Sequence, residues 1–276
     1  MTTLAHFDLA EIANKADAVR RSVVEVATRN GAGHIAPSLS CVDVLAALYY
    51  GVMRLDRDPQ WDGRDRLVFS KGHGAYGLYA ILADLGYVAE KDWQSFYKGS
   101  FLAGCVERDV EHGLEAGTGS LGHGLPLAVG IAWGLRMRGN AGRTFCIVGD
   151  GEMQEGSCWE AVQVAVRHRL GHLVTIIDAN GLQAMDRLDK VLTPEGRSHD
   201  LRRKLEGFGI EIIDCDNHDL PELVRVLGAE RAANATPVAV LAHTVKGYGI
   251  KAIEGIPMFH FRIPTAAEIA QGVRYG

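Results

Sequence analysis

Residues 149–181 read GDGEMQEGSCWEAVQVAVRHRLGHLVTIIDANG, and the order of elements in this stretch decides the fold. TFCIV (144–148) precedes it, a short apolar, β-branched run of the length of a central strand. Beyond the glycines, Trp159, Val162, Val166 and Leu170 recur at helical spacing. HLVTIID (172–178) then reads as a second apolar strand, as a parallel sheet covered on both faces requires. Strand, glycine turn, helix and strand make a crossover unit. Its right-handed sense brings the glycine turn and the end of the second strand to one edge of the sheet.

The same alternation extends outward. LVFS (67–70), GIEIIDCD (209–216) and PVAVLAHT (237–244) read as three more strands, with helices expected over 9–28, 40–52 and 221–233. The glycine-rich segment 98–119 reads as irregular chain lying over the site. The pattern predicts an α/β fold: a doubly wound, mainly parallel sheet with helices on both faces, as one domain over 1–276. That length is near the upper size for a single hydrophobic core.

Composition excludes several classes. Net charge is −5 with no Lys/Arg cluster, which argues against nucleic acid as a partner. No apolar run approaches the roughly 18 residues of a membrane span, and residues 1–10 lack a secretory pattern. The five cysteines, Cys41, Cys105, Cys146, Cys158 and Cys215, are scattered, with no C-x-x-C for zinc or a disulfide framework. The expected compartment is cytoplasmic.

At the predicted sheet edge, Gly149 and Gly151 permit a sharp turn and close approach to a ligand, and the following helix offers free N–H groups to a phosphate. Asp150 between them would repel that phosphate unless a divalent cation lay between the two. Mg²⁺, or Ca²⁺ or Mn²⁺, takes oxygen ligands such as a carboxylate, a side-chain amide and a backbone carbonyl. Asn180, 30 residues after Asp150, can supply the amide and Leu182 the carbonyl. Taken singly, Asp150 reads as an N-cap and Asn180 as part of an Asn-Gly turn; as an ordered pair they read as a metal–diphosphate site. Three histidines, His34, His73 and His123, each sit beside glycine at the start of a predicted helix. A lone histidine there is ordinarily a loop residue, but imidazoles also suit the handling of sugar hydroxyls near neutral pH.

GDG with a closing Asn some 30 residues on is the thiamine-diphosphate motif, and here the chain resembles the N-terminal, diphosphate-binding part of transketolases. GAGHIAPSLSCVDVLAALYY (31–50), DRLVFSKGHGAYGLYAIL (65–82), GTGSLGHGLPLAVGIAWGL (117–135) and AHTVKGYG (242–249) each resemble a transketolase block, in family order. The resemblance implies thiamine diphosphate and Mg²⁺ as cofactors and the thiamine-diphosphate-binding fold. It implies that His34 and His73 line the channel to the thiazolium carbon, with His260 in PMFHFRIP reaching back to cofactor and substrate. A loop histidine packed between Phe259 and Phe261 is the other reading of His260. His123 falls where the family has Gln and is treated as structural. Gly119 and Leu121 would hold the aminopyrimidine by their backbone, with Gly149, Gly151, Glu152 and Asn180 around the diphosphate. Lys246 would either pair with that diphosphate or stand solvated before a turn. Glu155 would link two cofactor sites across a dimer.

Two departures shape the expected function. Cys105 aligns where the family carries a substrate-facing histidine, so either His112 acts from a shifted loop or the donor ketose differs from the usual ones. The glutamate that activates the cofactor belongs, in transketolases, to a following pyrimidine-binding domain that does not appear here. The expectation is therefore one chain of a split transketolase that transfers a two-carbon ketol unit from a ketose to an aldose, or between their phosphates. A partner chain would carry the pyrimidine-binding and C-terminal domains, in a dimer of heterodimers. The rival readings are the alpha chain of a 2-oxo-acid dehydrogenase and a non-catalytic regulatory paralogue.

Overall fold

The computed structural model describes residues 3–192, 201–216 and 218–271. Five parallel strands, β1 (Arg66–Phe69), β2 (Thr144–Gly149), β3 (Leu173–Asp178), β4 (Glu211–Asp216) and β5 (Val238–His243), form a sheet of order β1-β2-β3-β5-β4. Alternate residues of each strand enter different cores. Phe145, Ile147, Val174 and Ile176 pack into one cluster, whereas Cys146, Val148, Leu173 and Ile177 pack into the other. Both faces of the central strands are thus covered, which is why they carry no polar alternation.

The first face is covered by α1 (Leu9–Asn30), α2 (Ile35–Leu39), α3 (Val42–Ala46), α4 (Tyr76–Asp84) and α5 (Glu90–Gln94). The second carries α6 (Gly124–Met137), α7 (Gly156–Arg167) and, beyond the short α8 (Leu188–Val191), α9 (Leu201–Phe208). α10 (Leu220–Gly228) returns to the first face, and α11 (Ala266–Ala270) follows β5. The chain steps from β1 through β2 to β3 with α6 and α7 on one face. It reverses from β4 to β5 with α10 on the other, as a constant crossover hand demands. The doubly wound expectation is met.

Local chemistry sets the ends of the helices. α1 starts in a capping box between Asp8 and Glu11 and stops at Gly31, whose φ of 77° only glycine adopts without strain. The helix expected over 40–52 is two pieces: after Ala46 the chain widens into a π-helical turn, Ala47–Val52. That turn places the Tyr50 hydroxyl on Asp84 at 2.8 Å, a contact local periodicity does not encode. The helix expected over 221–233 ends at Gly228, because the chain leaves it for β5 and pairs Arg231 with Glu211. Among the described residues, no helix is long and apolar enough to cross a membrane.

Candidate active site

Four strands deliver their carboxyl ends to one place. β2 and β3 are in register with Gly149 opposite Asp178, and β5 sets Ala242 beside Asp178. Gly149-Asp150-Gly151, Asp178 to Asn180, Lys71 to His73 and Thr244 to Lys246 therefore share the edge where ligands bind in open α/β sheets. A cavity of about 590 Å³ opens there. Every residue singled out from sequence as catalytic, cofactor-binding or metal-ligating lines it: His34, His73, Gly119, Leu121, Gly149, Asp150, Gly151, Glu152, Glu155, Asn180, Leu182, Lys246 and His260.

Around Asp150, negative charge outweighs positive charge. Asp150 is buried, accepts hydrogen bonds from the Gly151 N–H at 2.8 Å and the Gly181 N–H at 2.6 Å, and faces Asp178. Burial, then the Asp178 charge, pushes its carboxyl up to about 7 despite those two N–H donors. A carboxylate held this way is short of a cation. Asn180 holds its side-chain oxygen on the Leu182 N–H at 3.0 Å, which orders the turn just beyond β3. Glu152 has a different part from the diphosphate contact expected of it. Its carboxylate accepts from Ser70 Oγ at 2.6 Å, Gly122 N at 2.9 Å and Gly149 N at 3.1 Å, so it ties three loops together at the cavity wall.

Sequence reasoning missed the pair beneath these loops. Lys71, just past β1, and Asp178, the last residue of β3, form a buried ion pair. Asp178 also accepts from Ser40 Oγ at 2.8 Å and from Thr244 Oγ1, and Lys71 donates to the Pro37 carbonyl at 3.0 Å. Burial alone would raise the Asp178 carboxyl; Lys71 and the two hydroxyls hold it well below the usual range. Position at the carboxyl ends of apolar strands was the available signal.

Around three histidines of the same cavity, positive charge predominates. His34, His73 and His260 come from chain segments far apart in sequence, and one ring nitrogen of each lies within 4.8 Å of the others. His34 caps α2 in the left-handed conformation, φ 58°, which turns its ring toward the other two. Burial lowers His73 to about 2 and His260 to about 3, and the charge of Lys71 or Lys246 and the neighbouring imidazoles push the same way. Buried Lys246 is lowered to about 8 by desolvation and by Lys71. These groups resist protonation first because they are buried and then because the cations near them oppose a further charge. His260 does not pack as a loop histidine: its backbone carbonyl accepts from His34 and its Nδ1 meets Lys246.

The remaining candidates fall elsewhere. His123 is exposed at the start of α6 and outside the lining. His112 is held by Asp109 at 2.7 Å and against Phe101, also outside the lining. Of the segment 98–119, only Gly119 reaches the cavity. Cys105 sits directly behind it, since a β-carbon on Gly119 would meet Cys105 Sγ at 3.0 Å. Glu155, unlike these, lines the cavity, exposed just before α7.

Residues 12–274 match the family described as transketolase, thiamine diphosphate binding domain. The chain is 38% identical over 263 residues to one of the subunits of apulose-4-phosphate transketolase from Actinobacillus succinogenes, covering 94% of this chain and 93% of that one. It is 35% identical over 247 residues to one of the subunits of 6-deoxy-6-sulfo-D-fructose transketolase from a Clostridium species, covering 89% and 88%. Human transketolase is 34% identical over 257 residues, which span 91% of this chain and 40% of the human one. The transketolase of Leishmania mexicana superposes with a TM-score of 0.81 at 26% identity, over 94% of this chain and 40% of that structure. The chain therefore spans about 40% of the length of these longer transketolases.

Proposed function

Since this chain belongs to the transketolase family, through its thiamine diphosphate binding domain, we propose that it is the cofactor-holding subunit of a two-component transketolase. The observation that carries the reading is the cavity's pair of opposite deficits. A carboxylate short of a cation and a lysine with three imidazoles short of an anion line the same cavity. A divalent cation with a diphosphate ester satisfies both together. Asp150, Asn180 and the Leu182 carbonyl are the oxygen donors for Mg²⁺, or for Ca²⁺ or Mn²⁺ in its place. Gly149, Gly151 and Lys246 would face the diphosphate, while Gly119 and Leu121 would offer backbone to the aminopyrimidine. Bound there, thiamine diphosphate supplies an acidic thiazolium carbon that accepts and returns a two-carbon ketol unit.

In the proposed reaction that unit passes from a ketose or its phosphate to an aldose or its phosphate. His34, His73 and His260 would hold the sugar oxygens, acting as neutral donors and acceptors. A partner chain with the pyrimidine-binding and C-terminal domains would bring the glutamate that activates the cofactor. Exposed Met185, Leu192 and Leu121 on the cavity lining support a covering chain. Exposed Glu155 supports a link between two such sites in a dimer of heterodimers, a cytoplasmic assembly in which 1–276 forms one domain. Two relatives are named for apulose 4-phosphate and 6-deoxy-6-sulfofructose, which supports a ketose other than the common pentose phosphates. Cys105 behind Gly119 is the residue to relate to that difference.

The direct test is reconstitution. Purified alone, the chain should show no ketol transfer at any cofactor concentration, and adding the pyrimidine-domain chain should restore turnover. Robust transfer by the isolated chain would remove the two-component reading.

Cofactor uptake should also depend on pH in a bell. Cation binding requires the Asp150 carboxylate, so affinity should fall about tenfold per unit as pH drops below about 7. The diphosphate favours the Lys246 ammonium, so affinity should fall again as pH rises past about 8. Calorimetric dissociation constants at saturating Mg²⁺ between about pH 5.5 and 9.5 would trace both flanks. A flat profile would mean that neither group meets the ligand.

A further inference from the structure

With Lys246 charged, as it is at neutral pH, two hydrogen bonds at the histidine cluster have one possible direction each. Lys246 Nζ lies 2.6 Å from His260 Nδ1. An ammonium has three donors and no acceptor, so Nδ1 must accept, and the proton of the neutral ring must then sit on Nε2. His34 Nδ1 lies 3.0 Å from the His260 carbonyl oxygen. A carbonyl only accepts, so His34 carries its proton on Nδ1 and keeps a lone pair on Nε2. The two rings stand 5.3 Å apart and nearly perpendicular, with His73 at 4.9 and 5.1 Å completing the cluster. Among the described residues, no hydrogen bond fixes the His73 ring.

The Lys246 backbone is clamped from several sides. The Val245 N–H donates to His218 Nε2 at 3.2 Å, the Gly247 N–H to the Ala36 carbonyl at 3.0 Å, and the Gly255 N–H to the Lys246 carbonyl at 2.9 Å. His218 is itself bound to Asp43 at 2.9 Å and stacked on Tyr248. An ammonium buried among imidazoles costs desolvation energy, and this loop commits several backbone bonds to keeping it there.

We propose that Lys246 is a positioning residue that fixes the tautomer of His260, so that His260 presents an Nε2–H donor and His34 an Nε2 acceptor. One donor and one acceptor side by side match the adjacent oxygens of an α-hydroxy ketone, whose carbonyl accepts while its hydroxyl donates. The remaining Lys246 protons stay available to a diphosphate. The recognition of a ketol rests on the proposed function; the tautomer assignment does not.

The test is therefore spectroscopic first. In the full chain labelled with ¹⁵N-histidine and held at neutral pH, His260 should show a protonated Nε2 and a hydrogen-bonded, unprotonated Nδ1. A His260→Gln variant assigns the signals. Lys246→Met should remove the hydrogen-bond shift at Nδ1, by tautomer exchange or by uptake of a second proton, whereas Lys246→Arg, also donor-only, should keep it. A wild-type Nδ1–H signal would overturn the proposal without any variant. So would a Lys246→Met spectrum identical to wild type, even if that variant binds thiamine diphosphate less tightly. In the two-chain enzyme saturated with cofactor, Lys246→Met should lower kcat/KM for the ketose about tenfold or more, with partial rescue by Lys246→Arg. The expected ¹⁵N pattern in a chain that shows no ketol transfer with any partner would uphold the tautomer and count against the transketolase reading instead.

Discussion

Asp178→Ala is expected to destabilise the chain by about 3–5 kcal/mol, the usual cost of stripping one partner from a buried ion pair. The substitution leaves the Lys71 ammonium buried with the Pro37 carbonyl as its main remaining acceptor. It also removes the carboxylate to which Ser40 Oγ and Thr244 Oγ1 both donate. The loss falls where β1, β3 and β5 end together, so the loops carrying His73, Asn180 and Lys246 lose a common anchor. Lys71→Met should destabilise too, but less, because the two hydroxyls still serve Asp178. The double variant should recover much of the loss, giving a coupling energy well above the roughly 0.5 kcal/mol of independent sites. Urea denaturation of the four proteins measures it. Single variants within about 1 kcal/mol of wild type would show that water reaches the pair and that it is not a structural anchor.

The contrast between this pair and the glycine-flanked Asp150 explains what the sequence displayed. β2, α7 and β3 were legible because strands covered on both faces read as unbroken apolar runs and the helix between them keeps its own period. Once those were placed, the carboxyl edge of the sheet followed, and with it Asp150, Asn180 and Leu182. Lys71 and Asp178 are 107 residues apart and join only when strand order is known. A single acid ending an apolar run looks like a strand terminus, so nothing local distinguished Asp178. His34 and His260 are separated by 226 residues, and only family likeness suggested that they meet. Glu152 is the converse case. Its place in the motif suggested a ligand, yet both its oxygens are engaged by the loops around it. Proximity in sequence to a binding motif marks the neighbourhood of a ligand, and the hydrogen-bond inventory decides who is left free to touch it.

Asp150→Asn should change binding and stability in opposite directions. The amide nearly preserves the shape of the side chain and keeps an oxygen for the Gly181 N–H, which Asp150 now binds at 2.6 Å. It removes the charge that a divalent cation needs, so thiamine diphosphate affinity in Mg²⁺ should fall at least tenfold, or about 1.4 kcal/mol. Stability without ligand should move the other way. The Asp150 carboxyl is raised to about 7 in the folded chain, first by burial and then by Asp178. A carboxyl of raised pKa holds a proton in the folded state that the unfolded chain has already released. The ligand-free protein therefore loses stability as pH climbs from about 4 to about 7, and the amide escapes that loss. At pH about 8 the ligand-free variant should melt higher than wild type, and near pH about 4 the difference should vanish. Saturating Mg²⁺ and cofactor should reverse the order at pH about 8, because only the wild type gains the full binding energy. Thermal melts in four conditions, two pH values with and without ligand, suffice. A ligand-free variant that melts lower at both pH values would make Asp150 a structural residue, and the cation would have to be sought elsewhere in the cavity.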